Sequence, residues 1–156
     1  MLAEGVNAPN FKLPQAGGGH FDLAKHKGRI IVVYFYPKDD TSGCTKEAVD
    51  FSAKAAEFEA LGAEVAGMSP DSVKAHEKFR DKHQLAVTLV SDEEKQAIEA
   101  YGVWKEKKMY GRSYMGVERS TFLVDTKGKI AKIWRGVKVT GHADEVLEAV
   151  RALKAG

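Results

Sequence analysis

Hydrophobic and polar residues form two kinds of pattern along this chain, and each pattern predicts one type of secondary structure. Residues 30–36 form an unbroken apolar and aromatic run, rich in β-branched residues, that stops at Pro37. A short run of this kind predicts a central strand that is buried on both faces. After a polar segment, apolar residues recur at spacings of three or four up to Gly62, and they are Ala48, Phe51, Ala55, Phe58 and Leu61. This spacing predicts one amphipathic helix that ends at the glycine.

Further apolar blocks predict more strands, with helices between them. The additional strands are residues 63–68, 85–90, 120–125 and 129–134, of which the last two form a hairpin. One helix is expected to start with Ser69 as its N-cap and Pro70 at its first position, and to end near Gln84. The next helix is expected to open with a capping box formed by Ser91 and Glu94.

The two ends of the chain carry a hairpin and a helix. Residues 6–22 contain a turn of three glycines, Gly17–Gly19, which predicts a short N-terminal hairpin. A C-terminal amphipathic helix is predicted by Ala143, Val146, Leu147, Val150 and Leu153. Together the elements predict a single α/β domain over residues 1–156, in which helices flank a mixed central sheet in three layers. This arrangement matches the thioredoxin-like architecture. The alternation of strands and helices by itself does not exclude a flavodoxin-like sheet.

Composition and charge narrow the class of protein. Lys and Arg number 24 and Asp and Glu number 22, so the net charge of +2 does not favour a polyanion as partner. No apolar run approaches the roughly 18 to 20 residues that cross a bilayer. The first five residues also lack a basic head followed by an apolar stretch. We therefore expect a cytoplasmic protein that binds neither nucleic acid nor a membrane. The oligomeric state does not follow from composition, and we take a monomer as the starting hypothesis.

The chain has one cysteine, Cys44, so no internal disulfide and no thiolate-rich metal site can form. A lone cysteine is either an inert buried residue or a reactive thiol. Cys44 lies between the strand that ends at Tyr36 and the following helix, which places its sulfur in or just before the first helical turn. Free N–H groups and the positive end of the helix dipole stabilise a thiolate at such a position. The position therefore favours a reactive thiol.

The residues around this cysteine carry a family resemblance. Segment 37–44 reads Pro-Lys-Asp-Asp-Thr-Ser-Gly-Cys, which has the form P-x-x-x-T-x-x-C and resembles the active-site signature of peroxiredoxins. Three further segments resemble the Q subfamily, whose members are also called bacterioferritin-comigratory proteins. They are Cys-Thr-x-Glu at residues 44–47, Tyr-Pro-Lys-Asp at residues 36–39, and Glu-Arg-Ser-Thr-Phe-Leu-Val-Asp at residues 118–125. The similarity spans essentially the whole chain.

The resemblance implies a thiol-dependent peroxidase that reduces hydrogen peroxide and organic hydroperoxides without a cofactor or metal. It implies that Cys44 is the peroxidatic nucleophile and passes through a sulfenic acid. Thr41 would be hydrogen-bonded to thiolate and peroxide, Arg119 would lie over the site, and Pro37 would shield the thiolate from water. Such chemistry needs an ionised thiol and donors on the O–O unit, because negative charge builds on the leaving oxygen.

Each of these residues also has a plain structural interpretation. Thr41 could cap the helix, and Pro37 could merely end the strand. Arg119 precedes a predicted strand, where a solvated arginine would be ordinary. Glu47 could orient Arg119, or it could simply favour the helix dipole.

Other functions compete with the peroxidase hypothesis. A cysteine phosphatase is disfavoured because Asp50 stands where C-x-x-x-x-x-R requires arginine, and dithiol exchange needs a second cysteine. A Cys/His hydrolase stays open, although a surface position is expected for all the histidines, His20, His26, His76, His83 and His142. A non-enzymatic thioredoxin-like interaction module, or a peroxide sensor that uses the same cysteine, is the remaining alternative.

The segment from Trp104 to Tyr114 is the one basic and aromatic cluster of the chain, with Lys105, Lys107, Lys108 and Arg112 inside it. It admits three interpretations: a nucleic-acid surface, a mobile loop that rims the peroxide pocket, or an ordinary solvated connection. We expect a loop beside the pocket.

The chain departs from the family pattern in lacking a resolving cysteine. Members of the Q subfamily commonly carry one five residues after the peroxidatic cysteine, where this chain has Val49, or in the next helix, where residues 71–84 contain none. An external thiol must therefore reduce the sulfenic acid, and the candidates are glutathione, a glutaredoxin, a thioredoxin and the Cys44 of another copy of the chain. We expect glutathione with glutaredoxin in preference to thioredoxin, because a small thiol enters a rimmed pocket more readily than a protein does.

Overall fold

The structure is a computed structural model, and it describes residues 2–156. The strands are β1 (Lys12–Pro14), β2 (His20–Asp22), β3 (Ile30–Phe35), β4 (Ala63–Ser69), β5 (Thr88–Ser91), β6 (Trp104–Met109), β7 (Arg112–Val117), β8 (Ser120–Val124) and β9 (Ile130–Trp134). The helices are α1 (Ser42–Ala53), α2 (Ala55–Ala60), α3 (Val73–His83), α4 (Gln96–Ala100) and α5 (His142–Ala155), with a 3₁₀ turn over Leu23–His26.

A mixed sheet lies at the centre, as the sequence predicts. Within residues 2–156 it has five strands in the order β5-β4-β3-β8-β9. Strand β3 pairs parallel with β4 and antiparallel with β8, and its six residues are all buried. In the antiparallel pair Phe35 lies opposite Ser120. This register brings the chain just before β8 beside the chain that leaves β3.

Helices and hairpins cover the two faces of the sheet, because successive side chains of a strand point to opposite sides. Val32 and Tyr34 pack under α1, α2, α3 and α5, whose core residues include Phe51, Phe58, Phe79 and Val146. Val33 and Phe35 pack under α4 and the N-terminal hairpin, with Ile98 and Phe21 among the residues that meet them. The three-layer α/β fold is thus confirmed. The hairpins β1–β2 and β8–β9 and the C-terminal helix are confirmed as well.

The single helix predicted from Ala48 to Leu61 is wrong, since two helices cover this segment. Lys54 leaves the helical conformation between α1 and α2, with φ −106° and ψ 7°. Its N–H still donates to the Phe51 carbonyl at 3.1 Å, and its ammonium bonds Asp144 of α5 at 2.6 Å. Phe51 of α1 and Phe58 of α2 are both buried. The apolar spacing therefore predicts the buried residues correctly, although the segment is not one continuous helix.

The predicted start of the helix that corresponds to α3 is three residues early. Ser72, not Ser69, is the N-cap of α3, and its hydroxyl accepts from the N–H of Ala75 at 3.1 Å. Ser69 extends β4 because it pairs with Ser91 in the parallel ladder, and its hydroxyl donates to Asp71 at 2.6 Å. Tertiary pairing therefore outweighs the local cap signal at Ser69.

The capping box of Ser91 and Glu94 is also wrong. Ser91 is the last residue of β5, and its hydroxyl donates to the carbonyl of Asp71 at 2.6 Å. The carboxylate of Asp92 takes the capping role, since it accepts from the N–H groups of Gln96 and Ile98 at 2.8 and 2.9 Å.

The segment predicted as a loop from Trp104 to Tyr114 is a regular antiparallel hairpin. Strands β6 and β7 pair with Lys107 opposite Tyr114. Tyr110 and Gly111 form the turn with φ values of 53° and 76°, the left-handed pair that two-residue hairpins favour. The hairpin lacks an alternating apolar pattern because most of its residues are exposed or half-buried, so periodicity could not reveal it.

Across residues 2–156, none of the helices combines the length and apolar character that spanning a membrane requires.

Candidate active site

Cys44 lies in the first turn of α1, directly after the loop that leaves β3. Helix α1 begins at Ser42 with Thr41 as N-cap, so the prediction that the sulfur sits in the first helical turn is confirmed. The residue is only 2% exposed. The helix N-terminus contributes unpaired N–H groups and a positive partial charge at this point.

Arg119 reaches this sulfur from the short link between β7 and β8. Its Nη2 donates to Cys44 Sγ at 3.2 Å, and its Nη1 donates to Glu47 Oε1 at 2.6 Å. Gly43 makes room for the guanidinium, because a Cβ at that position would lie 3.3 Å from Nη2. The alternative of a solvated surface arginine is wrong, since the Arg119 side chain is 17% exposed.

Glu47 lies one helical turn after Cys44 and holds the other arm of the guanidinium. The carboxylate is buried, and its Oε2 has no hydrogen-bond partner among residues 2–156. Burial raises the pKa of Glu47 to about 7, against the opposing effect of the Arg119 charge. Its contact with Arg119 favours the orienting interpretation over a simple dipole effect.

Thr41 and Pro37 lie on the loop between β3 and α1. The Thr41 hydroxyl donates its hydrogen to the Lys38 carbonyl at 2.9 Å and makes no side-chain cap of α1. Thr41 therefore occupies the N-cap position through its backbone, whereas its hydroxyl does not cap the helix. Because that hydrogen is committed to Lys38, the lone pairs of the Thr41 oxygen are available only as acceptors. Pro37 is half-buried and follows the last strand residues of β3.

Lys107 of β6 is a charged neighbour that the sequence predicted only as part of a basic cluster. Burial and the nearby Arg119 charge lower the pKa of Lys107. The position of Lys107 is set by the pairing of β6 with β7, so no local pattern could have identified its proximity to Arg119.

Two histidines expected at the surface are buried, and neither bonds to the cysteine. His142 is 4% exposed, and its Nε2 bonds the Thr121 hydroxyl at 2.8 Å. Burial is the main cause that lowers the pKa of His142. His76 is 0% exposed and bonds Asp39. The surface prediction is thus wrong for both, and neither has the contact with sulfur that a hydrolytic Cys/His pair requires.

Among the residues that the structure describes, one group has ligand atoms close enough to hold a metal ion: Asp39, Asp71 and His76. The His76 Nδ1 and Asp39 Oδ2 atoms lie 2.6 Å apart, which is a hydrogen-bond distance. Asp71 Oδ2 already accepts from the Asp39 N–H at 2.8 Å and the Ser69 hydroxyl at 2.6 Å. The group is a closed hydrogen-bond network and does not fit a metal site.

The arrangement at Cys44 suits nucleophilic attack by sulfur. A guanidinium donor and a helix N-terminus both stabilise negative charge there, first on the thiolate and then on oxygen displaced from a substrate. The sulfur is the only nucleophile of its kind in the chain.

Known proteins share this fold and sequence over nearly the full chain. Residues 5–133 match the AhpC/TSA family. Peroxiredoxin Bcp of Bacillus subtilis is 47% identical over 147 residues, which cover 94% of each chain. The structure of Xanthomonas campestris peroxiredoxin Q superposes with a TM-score of 0.91 at 44% identity, covering 97% of this chain and 98% of that one. A structure with the same TM-score and identity comes from work on the alkyl peroxide reduction activity of the X. campestris bacterioferritin comigratory protein. The present chain therefore belongs to the AhpC/TSA family and is a Bcp-type peroxiredoxin, a thiol peroxidase.

Proposed function

We propose that Cys44 reduces hydrogen peroxide and alkyl hydroperoxides and that a thiol from outside the chain regenerates it. The observation that carries this proposal is the 3.2 Å contact between Arg119 Nη2 and Cys44 Sγ at the N-terminus of α1. The alkyl peroxide reduction named for the X. campestris relative supports the substrate class. The match to the family over residues 5–133 supports one catalytic domain.

The first step is a two-electron oxidation of sulfur. The Cys44 thiolate attacks one peroxide oxygen, an S–O bond forms, and the O–O bond breaks. The hydroperoxide proton passes to the leaving oxygen, which departs as water or an alcohol, and the cysteine sulfenate takes up a proton to become the sulfenic acid. Oxygen is reduced as sulfur is oxidised, so no other oxidant is needed.

Each neighbouring group has a role in this step. Arg119 stabilises the thiolate and the charge that builds on the departing oxygen. Glu47 holds the guanidinium in place through its 2.6 Å contact. Thr41 accepts a hydrogen bond from the hydroperoxide and so orients its O–O bond, and Pro37 shields the sulfur from bulk water.

The second step needs two equivalents of an external thiol, because the chain holds no other cysteine. The first thiol attacks the sulfenic sulfur, releases water and leaves a mixed disulfide. The second thiol displaces Cys44 and forms the external disulfide. Since Cys44 is 2% exposed, a slender thiol such as glutathione, with glutaredoxin for the second displacement, suits the site better than thioredoxin. We place this cycle in the cytoplasm, where thiol pools are reducing, and in a monomer.

Intact mass spectrometry tests the cycle directly. One equivalent of peroxide should add about 16 Da, and added glutathione should convert that species to a mixed disulfide. Excess peroxide should give about 32 Da in total, because no neighbouring cysteine traps the sulfenic acid. Peroxide consumption should then be measured with glutathione and glutaredoxin, or with thioredoxin and its reductase, in the wild type and in Cys44→Ser.

The outcomes separate the alternatives. Turnover that requires Cys44 supports the proposal, and faster turnover with thioredoxin would contradict the chosen reductant. Oxidation of Cys44 without turnover under either system would point to a sensor. A chain that never gains about 16 Da would show that the thiol is unreactive and would overturn the proposal.

A further inference from the structure

The loop that connects β3 to α1 is held from its inner side by a buried polar network. We propose that His76, acting through Asp39, positions this loop for attack on the peroxide, so that His76 is a positioning residue of the peroxidase reaction. The inference rests on the proposed roles of Cys44 and Thr41. Neither the sequence motif around Cys44 nor the predicted surface histidine pointed to it.

Both ring nitrogens of His76 have a hydrogen-bond partner. His76 Nδ1 lies 2.6 Å from Asp39 Oδ2, and His76 Nε2 lies 2.9 Å from the Val90 carbonyl oxygen. The Tyr36 hydroxyl donates to Asp39 Oδ1 at 2.6 Å. The His76 side chain is 0% exposed and the Asp39 side chain 6% exposed, so water does not compete for these contacts.

The two ring contacts of His76 have different partners and therefore different functions. The Val90 carbonyl can only accept, so Nε2 carries a hydrogen and attaches the ring to β5. The Nδ1 contact attaches the same ring to a carboxylate on the active-site loop. His76 thus connects a fixed strand of the sheet to the loop. The contact between Nδ1 and Asp39 is short, at 2.6 Å, and its burial keeps water from weakening it.

The loop depends on such contacts because its own backbone conformation is unusual. Asp40 has φ +61°, in the left-handed region that costs energy for residues other than glycine. The Asp39 N–H donates to Asp71 at 2.8 Å, and the Asp40 carboxylate bonds Lys82 and His83 at the end of α3. The loop is therefore tethered to α3 on a buried side at Asp39 and on an exposed side at Asp40.

Thr41 follows these tethers directly, and its carbonyl accepts the first hydrogen bond of α1, from Thr45 at 2.8 Å. A shift of the loop would move the Thr41 hydroxyl and the first turn that carries Cys44 together. Displacement by about 1 Å can cost on the order of a hundredfold in rate, because the reacting atoms must be aligned. The buried tether is the one that water cannot replace.

A pair of amide variants separates the two contacts of the ring. In His76→Asn the side-chain NH₂ takes the place of Nδ1, so the contact with Asp39 is kept and that with Val90 is lost. In His76→Gln the NH₂ takes the place of Nε2, so the contact with Val90 is kept and that with Asp39 is lost. We expect kcat/KM for peroxide to fall about tenfold in His76→Gln and less than threefold in His76→Asn.

Two controls make the result specific. The melting temperature of both variants shows whether the loss follows stability. Lys82→Ala removes one of the two exposed contacts of Asp40, leaves the His83 contact in place, and should keep kcat/KM within about twofold. If neither amide variant folds, Tyr36→Phe removes one hydrogen bond to Asp39 without changing the ring. It should then lower kcat/KM about threefold with the rate of Cys44 alkylation by iodoacetamide unchanged.

Equal kcat/KM in the two amide variants, or losses that simply follow their melting temperatures, would overturn the positioning role. If Tyr36→Phe is the variant tested, an unchanged kcat/KM would overturn it. A wild-type chain that fails to consume peroxide would instead overturn the proposed function, so the two failures are distinguishable.

Discussion

Two buried polar clusters flank the loop between β3 and α1, and they differ in how completely their groups are paired. In the cluster of Arg119, Glu47 and Cys44, one carboxylate oxygen has no partner within residues 2–156 and one arm of the guanidinium points at sulfur. In the cluster of Asp39, His76 and Tyr36, every ring nitrogen, carboxylate oxygen and hydroxyl has a partner. The incompletely paired groups around Cys44 can still interact with a substrate. The completely paired groups around His76 instead hold the backbone of the loop between β3 and α1 in place.

The largest effect is expected from breaking the incompletely paired cluster. Arg119→Ala should lower kcat/KM for peroxide about 10² to 10³-fold, the usual cost of losing one donor to a developing oxyanion. It should also slow alkylation of Cys44 by iodoacetamide at neutral pH, because the thiolate loses its 3.2 Å donor. Arg151→Ala, on the exposed face of α5, is the matched control. Equal kcat/KM in the two variants would contradict the role of Arg119.

Breaking the completely paired cluster should lower stability in addition to its effect on kcat/KM. His76→Leu removes the 2.6 Å hydrogen-bond partner of the buried Asp39 carboxylate, and the free energy of unfolding should fall by about 3 kcal/mol in urea titrations. Arg119→Ala should cost less stability, because the guanidinium it removes is partly exposed and Glu47 can then take up a proton. A larger loss of stability in Arg119→Ala than in His76→Leu would reverse the comparison.

The unpaired carboxylate oxygen of Glu47 should appear as a pH dependence of stability. Burial raises the pKa of Glu47 to about 7 in the folded protein, so folding favours its protonated form. Its contribution is fully present below the pKa of the unfolded chain and is lost as the pH rises through about 7. The free energy of unfolding should therefore fall by about 2 to 3 kcal/mol between pH 5 and pH 8.

Glu47→Gln should remove most of this fall, since the amide does not titrate and its oxygen can still accept from Arg119. Glu94→Gln, at an exposed position, should keep the wild-type dependence. The measurement is a series of urea titrations across the pH range. An identical slope in wild type and Glu47→Gln would show that another group is responsible.

The smallest effect is expected at Thr41, which lies between the two clusters. Thr41→Val removes the acceptor for the hydroperoxide and should lower kcat/KM about tenfold, with the melting temperature nearly unchanged because the side chain is exposed. The neighbouring Ser42→Ala should leave kcat/KM unaltered. A wild-type rate in Thr41→Val would restrict the substrate contacts to Arg119 and the backbone of α1.

Local pattern determined much of this protein. The apolar run at residues 30–36 predicts β3, and the position of Cys44 after a strand and before a helix predicts its place in the first turn of α1. Both succeed because periodicity and helix termini are properties of neighbouring residues. The same holds for the hairpin β8–β9 and for α5, whose apolar faces are evident along the chain.

Tertiary structure decided the residues that act on the cysteine from a distance. Arg119 meets Cys44 because the antiparallel register sets Phe35 opposite Ser120. The family motif implied the role of Arg119, and only the structure decided that Glu47 contacts it. His76 resembles any helical surface histidine until α3 packs against β5 and the loop at Asp39. The hairpin β6–β7 also escaped prediction. Burial and strand register depend on the whole chain, because a side chain's partners are set by elements far away in sequence.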